Sequence, residues 1–431
     1  VQLCQLGEAA CLVVPDSLTA LQRAAAYWRQ QHEVRVIGIT GSVGKTISKE
    51  YIAAVLRQRY RTLKSEGSYN NEIGLPLTLL HVTGLTERVV LEMGMYDRGE
   101  IAQLAGIAAP QIGVVTNVGP THLERLGTIE RVARAKAELP QALPPAAEGG
   151  VAILNADDER VRAMAGTRRG KLLLFGRDPG CDFTVEDVAS GWPERLSFRV
   201  RSGDSTTSVR TLLVGTHWVS SVAAAIAASA ACGIPVDSSA QALERVPPFT
   251  ARMQPVVLPS GAVVVRDEET GSPDTFNAML KVLRESRARR RILVISDLSD
   301  SRAKQRKRQK ELGSIAAEMA DVAVFVSDHG HHAVRRALEA GMDPSNCHHI
   351  PDLAKAADFL KSELGDGDLV FVKGRSTDHL SRIVFAQYGS IGCWTTSCRI
   401  HRVCDVCDLL KPGFDLDQTL STAARFLPSP N

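Results

Sequence analysis

Short continuous apolar runs alternate with stretches of helical periodicity along the first part of the chain. The apolar runs, which predict buried strands, lie at 34–40, 89–92, 112–116 and 151–154. The stretches of helical periodicity lie at 49–60, 99–105 and 129–139. Strands that alternate with helices form a parallel sheet covered by helices on both faces, so we predict an α/β domain.

The pattern changes beyond residue 180. Leu196, Phe198 and Val200 alternate with polar residues, which indicates an antiparallel hairpin region at 183–214. An Ala-rich helix at 218–232 follows, and Pro247 and Pro248 then prevent helical continuation. Later apolar runs, which predict a second doubly wound domain, lie at 262–265, 291–295, 322–326 and 369–372.

A chain of 431 residues is too long for one ordinary core, so we expect several domains. The segment 1–33 is interpreted as a linker, or the remnant of an incomplete domain, with an entry helix that Asp16 or Ser17 caps. The first large domain is expected at 34–248 and the second at 249–390. A cysteine-rich tail of different composition follows at 391–431.

Composition excludes several classes of function. The formal net charge is only +3, and the basic run at 302–310 is typical of a solvated helix face, so we expect no nucleic-acid partner. No apolar run is long enough to predict a transmembrane segment. The five cysteines among the first 390 residues are scattered singly along the chain. This pattern favours a location in a reducing cytoplasm.

A glycine-containing turn separates the strand at 34–40 from the next helix. Its sequence is Thr40-Gly41-Ser42-Val43-Gly44-Lys45-Thr46. Backbone N–H groups at such a helix start converge on an anion; Lys45 would contact the terminal phosphates and Thr46 would ligate Mg2+. We interpret the turn as a nucleoside triphosphate site. The alternative is a tight turn with a solvated lysine, since Ile39 stands where the general motif has glycine.

This turn resembles the phosphate loop of Mur ligases, written T-G-S-x-G-K-T. Further segments that match the family lie at 64–74, 91–95 and 116–124, and the resemblance runs over most of residues 17–385. It implies a P-loop, parallel-sheet ATPase domain followed by a Rossmann-like α/β domain. It also implies an ADP-forming amide ligase that works through an acyl phosphate. The expected partners are ATP, Mg2+, an amine such as an amino acid or dipeptide, and a carboxylate acceptor such as a UDP-linked muramoyl peptide.

The resemblance assigns roles to individual residues. The implied catalytic residues are Lys45, Glu92, His122 and Lys136. The implied Mg2+ ligands are Thr46, Glu92, His122 and Lys136. Lys136 would act in the form of a carbamate. The implied substrate contacts are Ser68, Asn70 and Asn71, and Asn117 would bind the nucleotide. The alternatives are a capping carboxylate for Glu92, a surface histidine for His122 and an exposed helical lysine for Lys136.

The match is weaker further along. The segment Gly215–Ser221 lacks both asparagines that the family uses near adenine, although His217 remains. The family also implies nucleotide contacts for Arg252, Asp267 and Lys373, but the sequence around Asp267 departs from the family pattern. These departures motivate a rival hypothesis, a degenerate nucleotide-binding subunit that docks a partner through its tail.

The tail concentrates four cysteines in fifteen residues: Cys393, Cys398, Cys404 and Cys407. Four thiolates suit structural Zn2+ or an iron-sulfur cluster, and His401 is an additional candidate ligand. Only the last pair has standard zinc spacing, so free or disulfide-forming thiols are the alternative.

Overall fold

The computed structural model describes residues 2–6, 9–121, 123–298, 304–395, 398 and 404–425. The chain divides into two compact units. The first unit comprises Val1–Val188, Ser197–Thr211 and Trp218–Val246. The second comprises Ala189–Leu196, Leu212–His217 and Pro247–Asn431.

The described residues of the first unit contain strands β1 to β11. Their bounds are β1 Gln2–Leu6, β2 Ala9–Val13, β3 Arg35–Thr40, β4 Thr62–Lys64, β5 Arg88–Glu92, β6 Ile112–Val115, β7 Val151–Asn155, β8 Lys171–Gly176, β9 Phe183–Ala189, β10 Ser197–Ser202 and β11 Ser205–Arg210. The helices are α1 Ser17–Gln30, α2 Lys45–Leu56, α3 Gly74–Leu79, α4 Glu100–Ala108, α5 Leu123–Leu126, α6 Ile129–Ala142, α7 Glu159–Ala163, α8 Val219–Ala231 and α9 Val236–Leu243.

The described residues of the second unit contain the remaining elements. The strands are β12 Gln254–Val257, β13 Val263–Asp267, β14 Arg290–Ile295, β15 Val322–Phe325, β16 Cys347–His349 and β17 Asp368–Lys373. The helices are α10 Pro273–Glu285, α11 Gln305–Met319, α12 His331–Glu339, α13 Leu353–Glu363, α14 Ser381–Phe385 and α15 Leu416–Arg425.

The main sheet of the first unit has the strand order β11-β10-β9-β8-β7-β6-β3-β5-β4 within the described residues. Strand β3 lies between β5 and β6 and pairs with both in parallel. The carboxyl ends of parallel strands meet at one sheet edge, so the loops after Thr40, Glu92 and Val115 lie side by side. The β10–β11 pair is antiparallel, with Phe198 and Val200 buried. The parallel strands of the main sheet confirm the predicted α/β domain.

The β1–β2 segments pair as a separate antiparallel ribbon. Helix α1 follows it, and the Asp16 side chain caps this helix by accepting a 2.7 Å hydrogen bond from the Thr19 N–H. Helices α1, α3, α4 and α6 contribute apolar side chains to one core of the first unit, such as Ala25, Leu79 and Leu104. Burial of these faces holds the helices on the sheet.

The second unit forms a sheet with the order β12-β13-β17-β14-β15-β16 within the described residues. Strand β17 pairs in parallel with β13 and β14, as expected for a doubly wound domain. The residues around Cys404 and Leu416 pack in an apolar cluster with Phe385. Every helix in the described part of the chain is too short or too polar to cross a membrane.

Candidate active site

The loop between β3 and α2 requires glycine at two positions. A Cβ atom at Gly41 would overlap the Thr116 hydroxyl. Gly44 has a φ of 85°, and a Cβ atom there would lie 2.6 Å from the Ser221 Oγ atom. Any other residue at these positions would push the loop away from β6 or α8. The two glycines therefore fix how closely the loop packs.

Asn117, just after the neighbouring strand β6, shapes the loop. Its side-chain oxygen accepts hydrogen bonds from the Ser42 and Val43 N–H groups at 3.0 and 2.8 Å, and its Nδ2 donates to the Val43 carbonyl at 2.8 Å. The Thr116 hydroxyl donates to the same carbonyl at 2.9 Å. These contacts hold the loop in its folded shape.

Lys45 begins helix α2, where backbone N–H groups and the helix dipole favour an anion. Its Nζ donates to the Gly41 carbonyl at 2.8 Å and to the Ser42 carbonyl at 3.4 Å. The ammonium group is thus held over the loop, as expected for a group that contacts phosphates.

Glu92 ends strand β5 and is almost fully buried. Its Oε2 accepts a 3.0 Å hydrogen bond from the Thr46 hydroxyl, and its Oε1 accepts one of 2.8 Å from Asn70 Nδ2. Its backbone N–H donates to the Ser65 hydroxyl at 3.2 Å. The structure therefore brings together three residues that the sequence placed in the site, all with oxygen atoms suited to Mg2+.

Lys136 lies on helix α6 with only 3% of its surface exposed. It forms no hydrogen bond or ion pair with another described residue, so the alternative of an exposed helical lysine paired with an acid is wrong. Burial, and secondarily the positive charge of Lys45, holds the pKa of Lys136 well below its ordinary value. A neutral amine is the form that reacts with carbon dioxide, so this environment suits carbamylation.

A cavity of about 320 Å3 lies beside the loop in the first unit. Its walls are formed by Leu18, Gly41, Lys45, Asn70, Asn71, Glu72, Gly94, Met95, Tyr96, Glu100, Gln103, Leu104, Thr121 and Lys136. Five of the residues expected in the site line it: Gly41, Lys45, Asn70, Asn71 and Lys136. Ser68 does not. His122 lies outside the described residues, although its neighbour Thr121 lines the cavity.

The sequence did not single out several residues that support the site. Lys49 is fully buried and donates to the Gly67 carbonyl at 2.6 Å, which ties α2 to the segment before Ser68. Asp158 caps α7 and accepts a 2.7 Å hydrogen bond from the Val118 N–H. Asn155 donates to the Thr116 carbonyl at 2.8 Å. The Lys49 contact holds the loop after β4 on α2, and the other two contacts hold the loops after β6 and β7 together.

The second unit brings two of its expected site residues into contact. Lys373 Nζ pairs with Asp267 Oδ2 at 2.6 Å and donates to the Thr270 carbonyl at 2.7 Å. Both ends of this pair are buried. Burial, together with the charges of Lys373 and Lys281, lowers the pKa of His217 to about 3, so that histidine is neutral at ordinary pH. Arg252 lies 3.7 Å from a carboxylate oxygen of Glu269.

The tail cysteines do not support the metal hypothesis. Cys393, Cys398, Cys404 and Cys407 are free thiols. Among the residues that the structure describes, no group of three or more His, Cys, Asp or Glu side chains converges on a possible metal position. Cys404 is buried, with its Sγ atom 3.4 Å from His379 Nδ1. His401 lies outside the described residues.

Comparison with protein families gives two matches in chain order. Residues 39–229 match the Mur ligase middle domain. Residues 251–376 match the Mur ligase, glutamate ligase domain.

Individual proteins are also similar to this chain in sequence or in structure. The UDP-N-acetylmuramoyl-tripeptide–D-alanyl-D-alanine ligase of Mycobacterium tuberculosis (strain CDC 1551 / Oshkosh) is 32% identical over 397 residues, which span 88% of this chain and 77% of the relative. The crystal structure of MurF from Acinetobacter baumannii is similar with a TM-score of 0.80 and 25% identity, over 88% of this chain and 82% of that one. MurF ligase from Thermotoga maritima in complex with ADP gives a TM-score of 0.74 at 24% identity, over 88% and 86% of the two chains. The Mycobacterium tuberculosis relative is named as a ligase, so it lends no support to the rival hypothesis of a degenerate subunit.

Proposed function

The chain belongs to the Mur ligase family of acid–amino-acid ligases, and we propose that it joins D-alanyl-D-alanine to a UDP-muramoyl tripeptide with hydrolysis of ATP to ADP. The observation that carries this proposal is that Glu92, at the end of β5, contacts both Thr46 at the start of α2 and Asn70. A phosphate loop and a buried carboxylate beside a cavity provide for phosphoryl transfer to a second substrate. The substrates follow from the names of the relatives and are part of the proposal.

The proposed reaction has two steps. In the first, an oxygen of the acceptor carboxylate attacks the γ-phosphorus of ATP, the bond to ADP breaks, and an acyl phosphate forms. In the second, the amine of the dipeptide attacks the carbonyl carbon. The tetrahedral intermediate then expels inorganic phosphate, and the amine nitrogen loses a proton. Lys45 and the loop N–H groups would stabilise the charge on the transferring phosphoryl group.

The residues present fit a divalent cation. The Thr46 hydroxyl and the Glu92 carboxylate supply hard oxygen ligands that already lie in contact. The cation would offset the repulsion between the nucleotide phosphates and the acceptor carboxylate. Asn70 holds the second oxygen of Glu92 and so orients the carboxylate. We also assign His122 to the metal site, on the resemblance alone.

We propose that Lys136 works as a carbamate. An uncarbamylated cation at this position would lie buried near Lys45 with no described acid to neutralise it. The nitrogen of the neutral amine would form a bond to the carbon of carbon dioxide and release one proton. The product is an anion that attracts Lys45 and offers oxygen ligands. The modified side chain would then position the acceptor and the cation.

In the second unit we propose that Arg252 and Lys373 contact phosphate groups and that His217 and Asp267 position the nucleotide. The support is that Lys373 contacts Asp267 and that its charge lowers the pKa of His217. Lys373 would have to give up some of its contacts with Asp267 and Thr270 to bind a phosphate.

Turnover of the full chain tests the proposal. ADP and phosphate release would be measured with Mg2+, ATP, UDP-muramoyl tripeptide and D-alanyl-D-alanine, and with each substrate left out in turn. We expect release only when all are present. A chain that binds ATP but releases no phosphate in response to the dipeptide would contradict the proposal.

Two further measurements sharpen this test. Acceptor labelled with 18O in its carboxylate should transfer one labelled oxygen to the inorganic phosphate if an acyl phosphate forms. Lys45→Ala should abolish nucleotide binding, whereas Lys361→Ala, on the exposed face of α13, should leave it unchanged.

A further inference from the structure

Two thiols of the tail lie in one tight turn. Residues Cys404–Val406 form a single 3-10 turn, and the Cys407 N–H donates to the Cys404 carbonyl at 3.2 Å. A hydrogen bond of this kind brings the Cα atoms of the first and fourth residues within about 7 Å of each other. Disulfides span Cα separations of about 4.4–6.8 Å. The backbone of the turn is therefore close to the geometry that a bond between Cys404 and Cys407 needs.

The two thiols differ in their access to solvent. Cys404 is 4% exposed and belongs to the apolar cluster around Phe385, whereas Cys407 is partly exposed. A dissolved oxidant can therefore reach Cys407, while Cys404 needs to reach only its neighbour in the turn. An accessible thiol beside a protected one is the arrangement that thiol–disulfide exchange within a chain requires.

Arg382 of α14 gives the buried thiol a positively charged neighbour. This side chain is only 2% exposed and lies within hydrogen-bonding reach of the Cys404 sulfur. Its Nη1 donates to the Thr395 carbonyl, and within the described part of the chain no carboxylate pairs with it. Burial raises the pKa of Cys404, and Arg382 opposes that rise. A buried guanidinium without a carboxylate partner is costly, so a thiolate at Cys404 would offset its charge.

The turn also carries a carboxylate that reaches the sheet of the second unit. Asp405 lies between the two cysteines, and its Oδ1 accepts a 2.7 Å hydrogen bond from Arg266 Nη1 in β13. The same strand ends at Asp267, which holds Lys373. A covalent bond across the turn would restrict its motion and keep Asp405 in contact with Arg266.

We propose that Cys404 and Cys407 form a reversible disulfide that fixes Asp405 against Arg266 and so stabilises the second unit. The oxidant is a small-molecule disulfide. The Cys407 thiolate attacks one of its sulfur atoms, forms a mixed disulfide and expels one small thiolate. The Cys404 thiolate then attacks the Cys407 sulfur and expels the second. The protein loses two electrons, and the two protons of its thiols end on the two released thiols. The exchange requires no substrate of the proposed ligase reaction.

Trapping of the remaining thiols tests which cysteines pair. The full chain would be equilibrated with oxidised or reduced glutathione in EDTA, which excludes protection by a bound metal. It would then be quenched in acid, unfolded, alkylated and mapped by peptide mass. We expect oxidation to protect Cys404 and Cys407 together, with loss of two hydrogen atoms from the peptide that contains both, while Cys393 and Cys398 are alkylated. Protection of a different pair, or of neither residue of this pair, would overturn the inference.

Denaturation in urea measures what the disulfide does to the fold. Oxidation should raise the midpoint of the second-unit transition by roughly 0.5–0.7 M and slow amide exchange in peptides that cover β13. By linkage, the equilibrium constant for disulfide formation should be about tenfold larger in the folded chain than in the unfolded one. An oxidised chain with an unchanged or lowered midpoint would overturn the inference.

Two variants with serine in place of a partly exposed cysteine are a matched pair. Cys407→Ser should abolish the response to oxidised glutathione, whereas Cys398→Ser should keep it. Asp405→Asn should still form the disulfide but lose most of the rise in midpoint, because a neutral amide holds Arg266 less strongly. A full rise in midpoint in Asp405→Asn would show that the effect does not pass through Arg266 and would contradict the proposal.

Discussion

Arg266 in β13 provides the sharpest test of how the second unit is stabilised. Its guanidinium is fully buried and contacts Asp405 Oδ1 and Oδ2 at 2.7 and 2.9 Å. It also donates to Glu268 Oε1 at 2.9 and 2.7 Å. Burial alone would lower the pKa of Arg266, but the two carboxylates outweigh it and raise the pKa. We predict that Arg266→Met strongly destabilises this unit.

The expected magnitude follows from the burial of all three groups. The side chains of Arg266, Glu268 and Asp405 are 0%, 5% and 10% exposed. Removal of one partner from such a buried group leaves uncompensated charge and costs about 3–5 kcal/mol. Arg284→Met is a matched control, because Arg284 and its partner Glu318 are both 67% exposed. An exposed ion pair contributes no more than about 1 kcal/mol.

Urea denaturation of the full chain measures the difference. With a slope of about 2–3 kcal/mol/M, Arg266→Met should lower the midpoint of the affected transition by roughly 1–2.5 M. Hydrogen exchange in peptides that cover β13 would assign that transition to the second unit. Arg284→Met should shift the midpoint by a few tenths of 1 M at most.

The pH dependence gives an independent check. Burial raises the pKa of Glu268 in the folded protein, and removal of Arg266 would raise it further. A carboxyl group whose pKa is higher in the folded protein than in the unfolded one stabilises the fold at pH values below its unfolded pKa. This stabilisation is lost as the pH rises through the folded pKa. The loss in free energy of unfolding caused by Arg266→Met should therefore be smaller near pH 5 than near pH 8. The reasoning would be refuted if Arg266→Met lost no more free energy of unfolding than Arg284→Met. It would also be refuted if the loss caused by Arg266→Met became larger at acidic pH.

Three further predictions concern the first unit. Lys136→Ala should reduce turnover about 100-fold or more, since a carboxylate-like group is lost, and added short carboxylates should restore part of it; full activity in the plain variant would exclude the carbamate. Glu92→Gln should raise the Mg2+ concentration needed for half-maximal turnover about tenfold or more, because an anionic ligand becomes neutral. Asn117→Ala removes three hydrogen bonds to the loop and should weaken ATP binding about tenfold, measured by calorimetry. Unchanged ATP affinity in Asn117→Ala would mean that the loop keeps its shape without this residue.

The sequence by itself determined the order of strand, glycine turn and helix around Lys45. This order is local, since it depends on apolar periodicity and on the conformations that glycine permits. The parallel sheet followed because strands alternate with helices, and the sheet then places Thr40, Glu92 and Thr116 at one edge. Residues at the carboxyl ends of adjacent strands can therefore be assigned to a site from the chain alone.

Only the tertiary structure decided which distant side chains meet. Ser221 on α8 packs against Gly44, and Asp405 reaches Arg266, although 177 and 139 residues separate these partners. The periodicity of a segment states which face is buried but not which side chain faces it from another element.

The tertiary structure also decided which polar side chains are buried. As a sequence, the helix around Lys136 fits an exposed lysine as well as a buried one. Packing within the first unit places this lysine on a cavity wall with a lowered pKa. The cysteine spacing in the tail predicted a possible metal site, but ligands must also converge in space, which the described cysteines do not do. Spacing along the chain thus determined the phosphate loop, because its contacts are local, while the charge and surroundings of Lys136 and Arg266 depend on contacts between elements far apart in sequence.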